Sequence, residues 1–259
     1  GIGIEALRRL CGGHGFTQSS NLAHIYAEIV GASTFEGTFD VLVQQHARYL
    51  IKSTTDDQTL LLLRAKCRAQ RAEDFGDFEI LLEAFKIRAA RATQDLVTAM
   101  KTEPTAGNGS NPHMVRMTKA SVANSEFALL HAFVQGVETV PTSDGGTTKE
   151  TVAALCALFG AWLLVKSLGE FREHDYLSSH QGELARRQLV RLLPIVRKNA
   201  VLLTDAWDFS DFELNSTIGR YDGDMYRALV ERAQDEPLNR TQVAESYEKY
   251  LKPLIQSNL

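Results

Sequence analysis

The spacing of apolar residues predicts helices along most of this chain. Apolar side chains recur every three or four positions over residues 38–52, 77–103, 113–139 and 182–207. This period is that of a helix with one buried face. Alternating β-branched or aromatic runs closed by tight turns, which would indicate strands, are nearly absent. The pattern therefore predicts an all-α protein built of helical bundles.

Punctuating residues predict where several of these helices begin and end. Asp77 is a suitable N-cap for the second segment, which should end before Pro104. Residues 105–112 (TAGNGSNP) and 140–146 (VPTSDGG) have the composition of loops. Pro194 removes a backbone donor in the middle of the last segment, so we expect a bend there.

The longest apolar run lies at residues 152–165 (VAALCALFGAWLLV) and follows a capping-box pattern at residues 147–150 (TTKE). The run is shorter than the ~20 residues that cross a bilayer. It therefore predicts a buried helix that begins at the capping box, and no membrane span.

The organisation along the chain predicts two parts and a linker. Residues 53–76 are charged and weakly periodic, so we expect them to join a small part at 1–52 to a larger helical domain at 77–259. The first ten residues already have helical spacing, yet neither Met nor a capping residue precedes them. We therefore expect the sequence to be a fragment.

Composition narrows the class of protein. The chain has 259 residues, 44% of them hydrophobic, which is typical of a globular domain. Its formal net charge is −4, whereas a protein that binds nucleic acid normally has a basic face, so the charge does not indicate such a partner. Three widely spaced cysteines indicate a reducing compartment and not a disulfide scaffold. His174 and His180 lack a third ligand at suitable spacing, so no metal site is expected.

The first candidate for chemistry is the glycine-rich run CGGHGF at residues 11–16. Glycines at positions 12, 13 and 15 let the backbone turn sharply and approach a ligand, and exposed amides in such a turn can bind phosphate. A helix C-cap followed by a tight turn explains the same spacing. Both interpretations stay open on spacing alone.

The second candidate is Glu36, within STFEGT at residues 33–38. A carboxylate between an aromatic ring and a glycine can be partly desolvated, which suits it to proton abstraction. The competing interpretation is a capping box, in which Ser33 caps a helix and Glu36 turns back to the Ser33 amide.

Together these two motifs resemble the peroxisomal acyl-CoA oxidases, a branch of the acyl-CoA dehydrogenase superfamily. The resemblance begins with the run at residues 10–52, in which CGGHGF is followed about twenty residues later by Phe-Glu-Gly. It extends over almost the whole chain through four further segments: residues 83–91 (EAFKIRAAR), 205–209 (DAWDF), 219–223 (GRYDG) and 237–247 (PLN, then ESY).

The resemblance implies the C-terminal α-domains of the acyl-CoA oxidase fold and a function in fatty-acid β-oxidation. Such an enzyme contains FAD, converts acyl-CoA to trans-2-enoyl-CoA and reduces O2 to H2O2. Glu36 matches the family's catalytic base. The positions that match the family's FAD contacts are Gly12, Gly13, Gly15, Gly37 and Thr38. The first three match a loop that lies on the FAD diphosphate, commonly that of the neighbouring subunit.

The resemblance also implies partners and a location. Ser257, Asn258 and Leu259 resemble the Ser-Lys-Leu tripeptide that a peroxisomal import receptor binds, which indicates the peroxisome matrix. We expect a homodimer, and an N-terminal portion of the same enzyme that supplies the missing domains. Alone, the chain should have little or no activity. The alternative is a non-catalytic helical module for dimerisation and import.

Overall fold

The computed structural model describes residues 2–53, 63–102, 111–173 and 175–257. Within these ranges every regular element is helical, which confirms the all-α prediction. The α-helices are α1 (Ile2–Leu10), α2 (Leu22–Ala32), α3 (Phe39–Ser53), α4 (Phe78–Thr102), α5 (Met114–Thr139), α6 (Thr147–Lys166), α7 (Leu168–Glu173), α8 (Ser179–Arg197), α9 (Ala200–Asp205), α10 (Asp211–Leu214), α11 (Met225–Asp235) and α12 (Lys252–Ser257).

The chain divides into two compact units. Unit 1 combines Gly1–Glu36 with Trp207–Leu259, and unit 2 is Gly37–Ala206. The division into a 1–52 part, a linker and a 77–259 domain stays a prediction. Most of the expected linker's first half, residues 54–62, lies outside the described residues, as do residues 105–110 of the expected loop.

The core of unit 2 is built by α4, α5, α6 and α8. The side chains of Leu81, Phe85, Leu130 and Leu164 are fully buried there. Helix α6 comes very close to α4, since a Cβ on Gly160 would lie 2.8 Å from Cδ1 of Leu81. By length and composition, α6 is the one described helix that could cross a membrane. Because α6 packs in the core of unit 2, burial in that core also accounts for its apolar sequence.

Helix α4 begins as the sequence predicts. Oδ1 of Asp77 accepts a hydrogen bond from the Glu79 amide at 2.7 Å, which satisfies a donor that the first turn leaves without a helical partner.

The capping box predicted at residues 147–150 is wrong. Helix α6 starts at Thr147 after Gly146, whose φ is +92°. Asp144 supplies the cap instead, because its carboxylate accepts bonds from the Thr148 hydroxyl at 2.6 Å and the Thr148 amide at 2.9 Å. These bonds, the hydroxyl first, lower the pKa of Asp144. The turn at Gly146 lets the carboxylate of Asp144 reach the first turn of the helix, and a carboxylate is a stronger acceptor than the hydroxyl of Thr147.

The predicted helix at residues 182–207 is two helices in the structure. Helix α8 begins earlier, with a capping box between Ser178 and Gln181, and contains Pro194. It ends at Arg197, and α9 follows as a separate short helix.

Candidate functional site

The glycine turn follows directly on helix α1 in unit 1. The amide of Cys11 donates to the carbonyl of Arg8 at 3.1 Å, and Gly12 then takes a φ of +59°. A residue in this left-handed conformation just after a helix is a common helix terminator. The C-cap interpretation of the sequence is therefore confirmed, and a 3-10 turn continues from Gly12 to Gly15.

The three glycines of this turn differ in whether the fold requires them. Gly12 has a positive φ, and Gly15 is buried so closely that its Cβ would lie 2.1 Å from the carbonyl oxygen of Arg8. Gly13 is exposed, and a Cβ there would have no atom within 4 Å. The packing of the described residues thus explains Gly12 and Gly15 but gives no reason for glycine at position 13.

Glu36 lies in the turn after helix α2, and the capping-box interpretation of it is wrong. The amide and the hydroxyl of Ser33 both donate to the carbonyl of Val30, at 3.1 and 2.7 Å. Ser33 therefore closes the end of α2, and helix α3 starts only at Phe39. With no helix beginning at Ser33, Glu36 has no cap to complete.

The carboxylate of Glu36 is exposed at the end of unit 1, and the ring of Phe35 beside it is 72% exposed. The partial desolvation expected from the sequence is therefore wrong for the residues that the structure describes. It makes no hydrogen bond or ion pair with any residue that the structure describes. The turn before it is closed by backbone bonds and by the hydroxyl of Thr34, which donates to the Gly31 carbonyl at 2.9 Å. Glu36 is thus held on a defined turn, with both of its carboxylate oxygens available.

Gly37 and Thr38 open unit 2. Gly37 has a φ of +117°, and a Cβ there would lie 3.3 Å from Cδ2 of Leu42, so only glycine fits without strain. The carbonyl of Thr38 accepts bonds from the amides of Val41 and Leu42, both at 3.0 Å, and so begins helix α3.

The structure also brings together residues that the sequence pattern did not single out. Arg88, within the EAFKIRAAR segment, is buried between the rings of Phe85 and Phe171 and forms ion pairs with Glu126 and Glu170. A helical period alone places such an arginine on the inner face, but its two acidic partners lie 38 and 82 residues away.

The other sites expected from the sequence remain predictions. Among the described residues there is no group of three or more His, Cys, Asp or Glu side chains that could hold a metal. His174 is outside those residues. Of the expected import tripeptide, Ser257 closes the last helix by donating to the Leu254 carbonyl at 3.0 Å, while Asn258 and Leu259 lie outside the described residues.

Comparison with known families identifies the chain. The model of the family "Acyl-CoA oxidase" matches residues 77–256, and that of "Acyl-CoA oxidase, C-alpha1 domain" matches residues 2–51. The chain belongs to the acyl-CoA oxidase family. This confirms the resemblance drawn from the glycine run and the Phe-Glu-Gly motif.

Individual members of the family agree with this assignment. The chain is 33% identical to peroxisomal acyl-coenzyme A oxidase 1 of Arabidopsis thaliana, over 99% of this chain and 40% of that protein. It is 35% identical to peroxisomal acyl-coenzyme A oxidase 2 of Mus musculus, over 98% of this chain and 40% of that protein. These relatives are named as peroxisomal, which confirms the expected location. The chain spans about 40% of the length of these relatives.

Solved structures of the family share the fold. Acyl-CoA oxidase 1 of Arabidopsis thaliana superposes with a TM-score of 0.91 at 33% identity, covering 100% of this chain and 41% of that one. Acyl-CoA oxidase-1 of Caenorhabditis elegans, described as complexed with FAD and ATP, superposes with a TM-score of 0.85 at 31% identity, covering 98% of this chain and 40% of that one.

Proposed function

We propose that this chain is the C-terminal part of an FAD-dependent acyl-CoA oxidase. The complete enzyme would convert acyl-CoA to trans-2-enoyl-CoA and reduce O2 to H2O2. The single observation that carries the proposal is the state of Glu36. Its carboxylate is exposed on a closed turn, has no partner among the described residues and does not cap a helix. Glu36 therefore has no structural role as a cap, and its match to the catalytic base of the acyl-CoA oxidase family supports the role of base.

The proposed task of Glu36 is to accept the α-proton of the acyl thioester. An α-C–H beside a thioester is a weak acid, so a base must lie close and the developing enolate must be stabilised. When bound, FAD would take the β-hydrogen as hydride, which leaves the double bond between the α- and β-carbons, and would pass the electrons to O2. Glu36 would hold the proton on its carboxylate until it is released.

The glycine turn fits an approaching FAD diphosphate. A Cβ on Gly12 or Gly13 would point into open space, so the backbone there is bare, and a flat or charged ligand group can touch the peptide groups directly. In unit 1 we propose Gly12, Gly13 and Gly15 as cofactor-binding residues. In unit 2, taken by itself, we propose Gly37 and Thr38, on their match to the family's FAD contacts. Gly15 would act through the turn, because it is buried.

The proposed partners follow from the share of the family that this chain spans. An N-terminal portion of the enzyme would supply the remaining contacts to FAD and acyl-CoA, and the active form would be a homodimer. We therefore expect little or no oxidase activity from these 259 residues alone. Ser257, Asn258 and Leu259 are proposed as the tripeptide for the peroxisomal import receptor.

The decisive experiment is the substitution Glu36→Gln in the complete protein. Because general-base catalysis contributes about 10²- to 10⁴-fold, we expect kcat for enoyl-CoA formation to fall by that factor while FAD stays bound. Glu28→Gln is the matched control, since Glu28 is exposed on helix α2 and pairs with His24 of the same helix, at 3.1 Å. It should leave kcat unchanged.

The outcomes separate an enzyme from the alternative, a non-catalytic module for dimerisation and import. Unchanged turnover in Glu36→Gln would remove the proposed base and favour the module. Loss of folding in both Glu36→Gln and Glu28→Gln, measured by circular dichroism, would also count against a specific catalytic role.

A further inference from the structure

We propose that Thr217 and Arg232 are positioning residues for the FAD diphosphate, acting through the loop at residues 16–21 that follows the glycine turn. This inference rests on the proposed function, because it takes the glycine turn as the diphosphate site. The new element is that a segment of the chain about two hundred residues further on holds the loop at residues 16–21 in place.

Three donors converge on one backbone oxygen of this loop. The carbonyl of Ser19 accepts bonds from the amide of Thr217 at 2.8 Å, the hydroxyl of Thr217 at 3.1 Å and Nη1 of Arg232 at 3.5 Å. Thr217 is buried, with 5% of its surface exposed, so its hydroxyl has little water to bind instead. A carbonyl has two lone pairs, so this oxygen is fully occupied by the C-terminal segment.

Two further contacts come from the same C-terminal segment, one to the loop and one to the glycine turn. Nδ2 of Asn21 donates to the carbonyl of Leu214 at 2.9 Å, and Asn21 itself has a φ of +60°. Left-handed asparagine is uncommon outside turns, and this bond helps to hold it. In the glycine turn before the loop, the ring of His14 lies edge-on to the ring of Tyr226, with 6.2 Å between centroids.

Hydrogen bonds connect Ser19 to the glycine turn, beginning with the hydroxyls of Ser19 and Thr17, whose oxygens lie 2.9 Å apart. The amide and hydroxyl of Ser20 both donate to the carbonyl of Thr17, at 3.1 and 2.8 Å. The hydroxyl of Thr17 donates to the carbonyl of His14 at 2.9 Å, and the amide of Phe16 donates to the carbonyl of Gly13 at 3.1 Å. A shift at Ser19 is therefore passed to the peptide groups of Gly13 and His14.

The glycine turn is thus fixed from two sides within unit 1. The end of helix α1 holds it through the contact of Gly15 with Arg8, and Thr217 holds the loop that leaves it. Backbone groups that bind a diphosphate must be fixed before the ligand arrives, because ordering them on binding reduces affinity. Thr217 and Arg232 supply that order without touching the ligand.

The experiment compares Thr217→Val with Thr217→Ser in the complete protein. Valine has the shape of threonine without the hydroxyl, whereas serine keeps the hydroxyl. Two quantities are measured: amide hydrogen exchange of residues 16–21 without FAD, and FAD affinity by titration of flavin fluorescence. For Thr217→Val we expect about fivefold faster exchange and about fivefold weaker FAD binding, as for one lost hydrogen bond. Thr217→Ser should restore both values.

A second variant tests the same contact from another donor, and a control tests whether the effect is specific to unit 1. Arg232→Met removes the guanidinium donors and should change both quantities in the same direction, which covers the case in which Thr217→Val does not fold. Thr118→Val removes a hydroxyl bonded to the Met114 carbonyl in unit 2, at 3.1 Å, and should change neither quantity.

Two results would overturn the inference. One is unchanged exchange at residues 16–21 in both Thr217→Val and Arg232→Met. The other is faster exchange with unchanged FAD affinity, which would make the fastening purely structural. Failure of the unaltered protein to bind FAD is a different result, because it would refute the proposed function itself.

Discussion

The carbonyl oxygen of Arg8 occupies the place where a side chain on Gly15 would begin. A Cβ at that position would lie 2.1 Å from this oxygen, well inside contact distance. At Gly13, two positions earlier in the same turn, a Cβ would meet nothing within 4 Å. One glycine is required by the fold of unit 1, and the other is free of any such requirement.

Alanine at these two positions should therefore give opposite results. Gly15→Ala forces backbone apart and should lower the free energy of unfolding of unit 1 by about 1–3 kcal/mol, measured by urea denaturation. Gly13→Ala should leave that free energy unchanged. It should weaken FAD binding to the complete protein about tenfold, because the methyl group keeps the diphosphate off the backbone. Tight FAD binding by Gly13→Ala would refute this assignment of the turn.

Removal of the Arg88 guanidinium should strongly destabilise unit 2. The side chain is 4% exposed and pairs with Glu126 and Glu170, the second at 2.6 Å. Arg88→Met keeps the apolar stem but leaves Glu170 without this cation and Glu126 with only a longer contact to Lys166, at 3.8 Å. We therefore expect a loss of about 3–5 kcal/mol in urea denaturation. Lys149→Met is the control, because Lys149 forms a more exposed pair with Glu138 at 3.1 Å. Its loss should stay below about 1 kcal/mol.

The three cysteines should differ in their reaction with iodoacetamide at pH 8. Cys11 is exposed, while Cys67 and Cys156 are buried. Burial raises the pKa of Cys67, and it raises that of Cys156 to about 11. Roughly one Cys156 in a thousand is then a thiolate at pH 8, and that thiolate is covered by the core. Peptide mass spectrometry should find the label on Cys11 in the folded chain and on all three cysteines after unfolding in urea.

Equal labelling rates for Cys156 and Cys11 in the folded chain would contradict the packing of helix α6 in the core. Labelling of Cys156 that appears only above the urea transition would agree with it.

The sequence predicted those features that depend on neighbouring residues. Asp77 caps helix α4, and the helical period gave the course of α3, α4 and α5, because both depend on contacts within a few positions. Local patterns gave the wrong prediction at two places. At one, two acceptors compete to cap the same helix; at the other, a serine at the end of one helix resembles the start of another. Asp144 displaces Thr147 as the cap of α6, and Ser33 closes a helix instead of starting one.

The rest of the candidate site depends on contacts that no local pattern contains. The assignment of Glu36 as a base came from resemblance, and the structure contributes the removal of its alternative role as a cap. The contact of Thr217 with Ser19 spans 198 positions, so the sequence around either residue does not indicate the other as its partner. The same holds for Arg88, whose acidic partners become identifiable only once α4, α5 and α7 pack together.

The separation of Ser19 from Thr217 also sets an order of events on the ribosome. The ribosome adds about 5–20 residues per second, so roughly 10–40 s pass between the synthesis of these two residues. Residues 37–206, which form unit 2, are synthesised within that interval, while the glycine turn still lacks the segment of chain that will fasten it. Tyr26, Ile29 and Val30 of helix α2 remain partly exposed even in the finished unit. Until Thr217 has been synthesised, the loop that leads into this helix lacks both hydrogen bonds from Thr217 to Ser19.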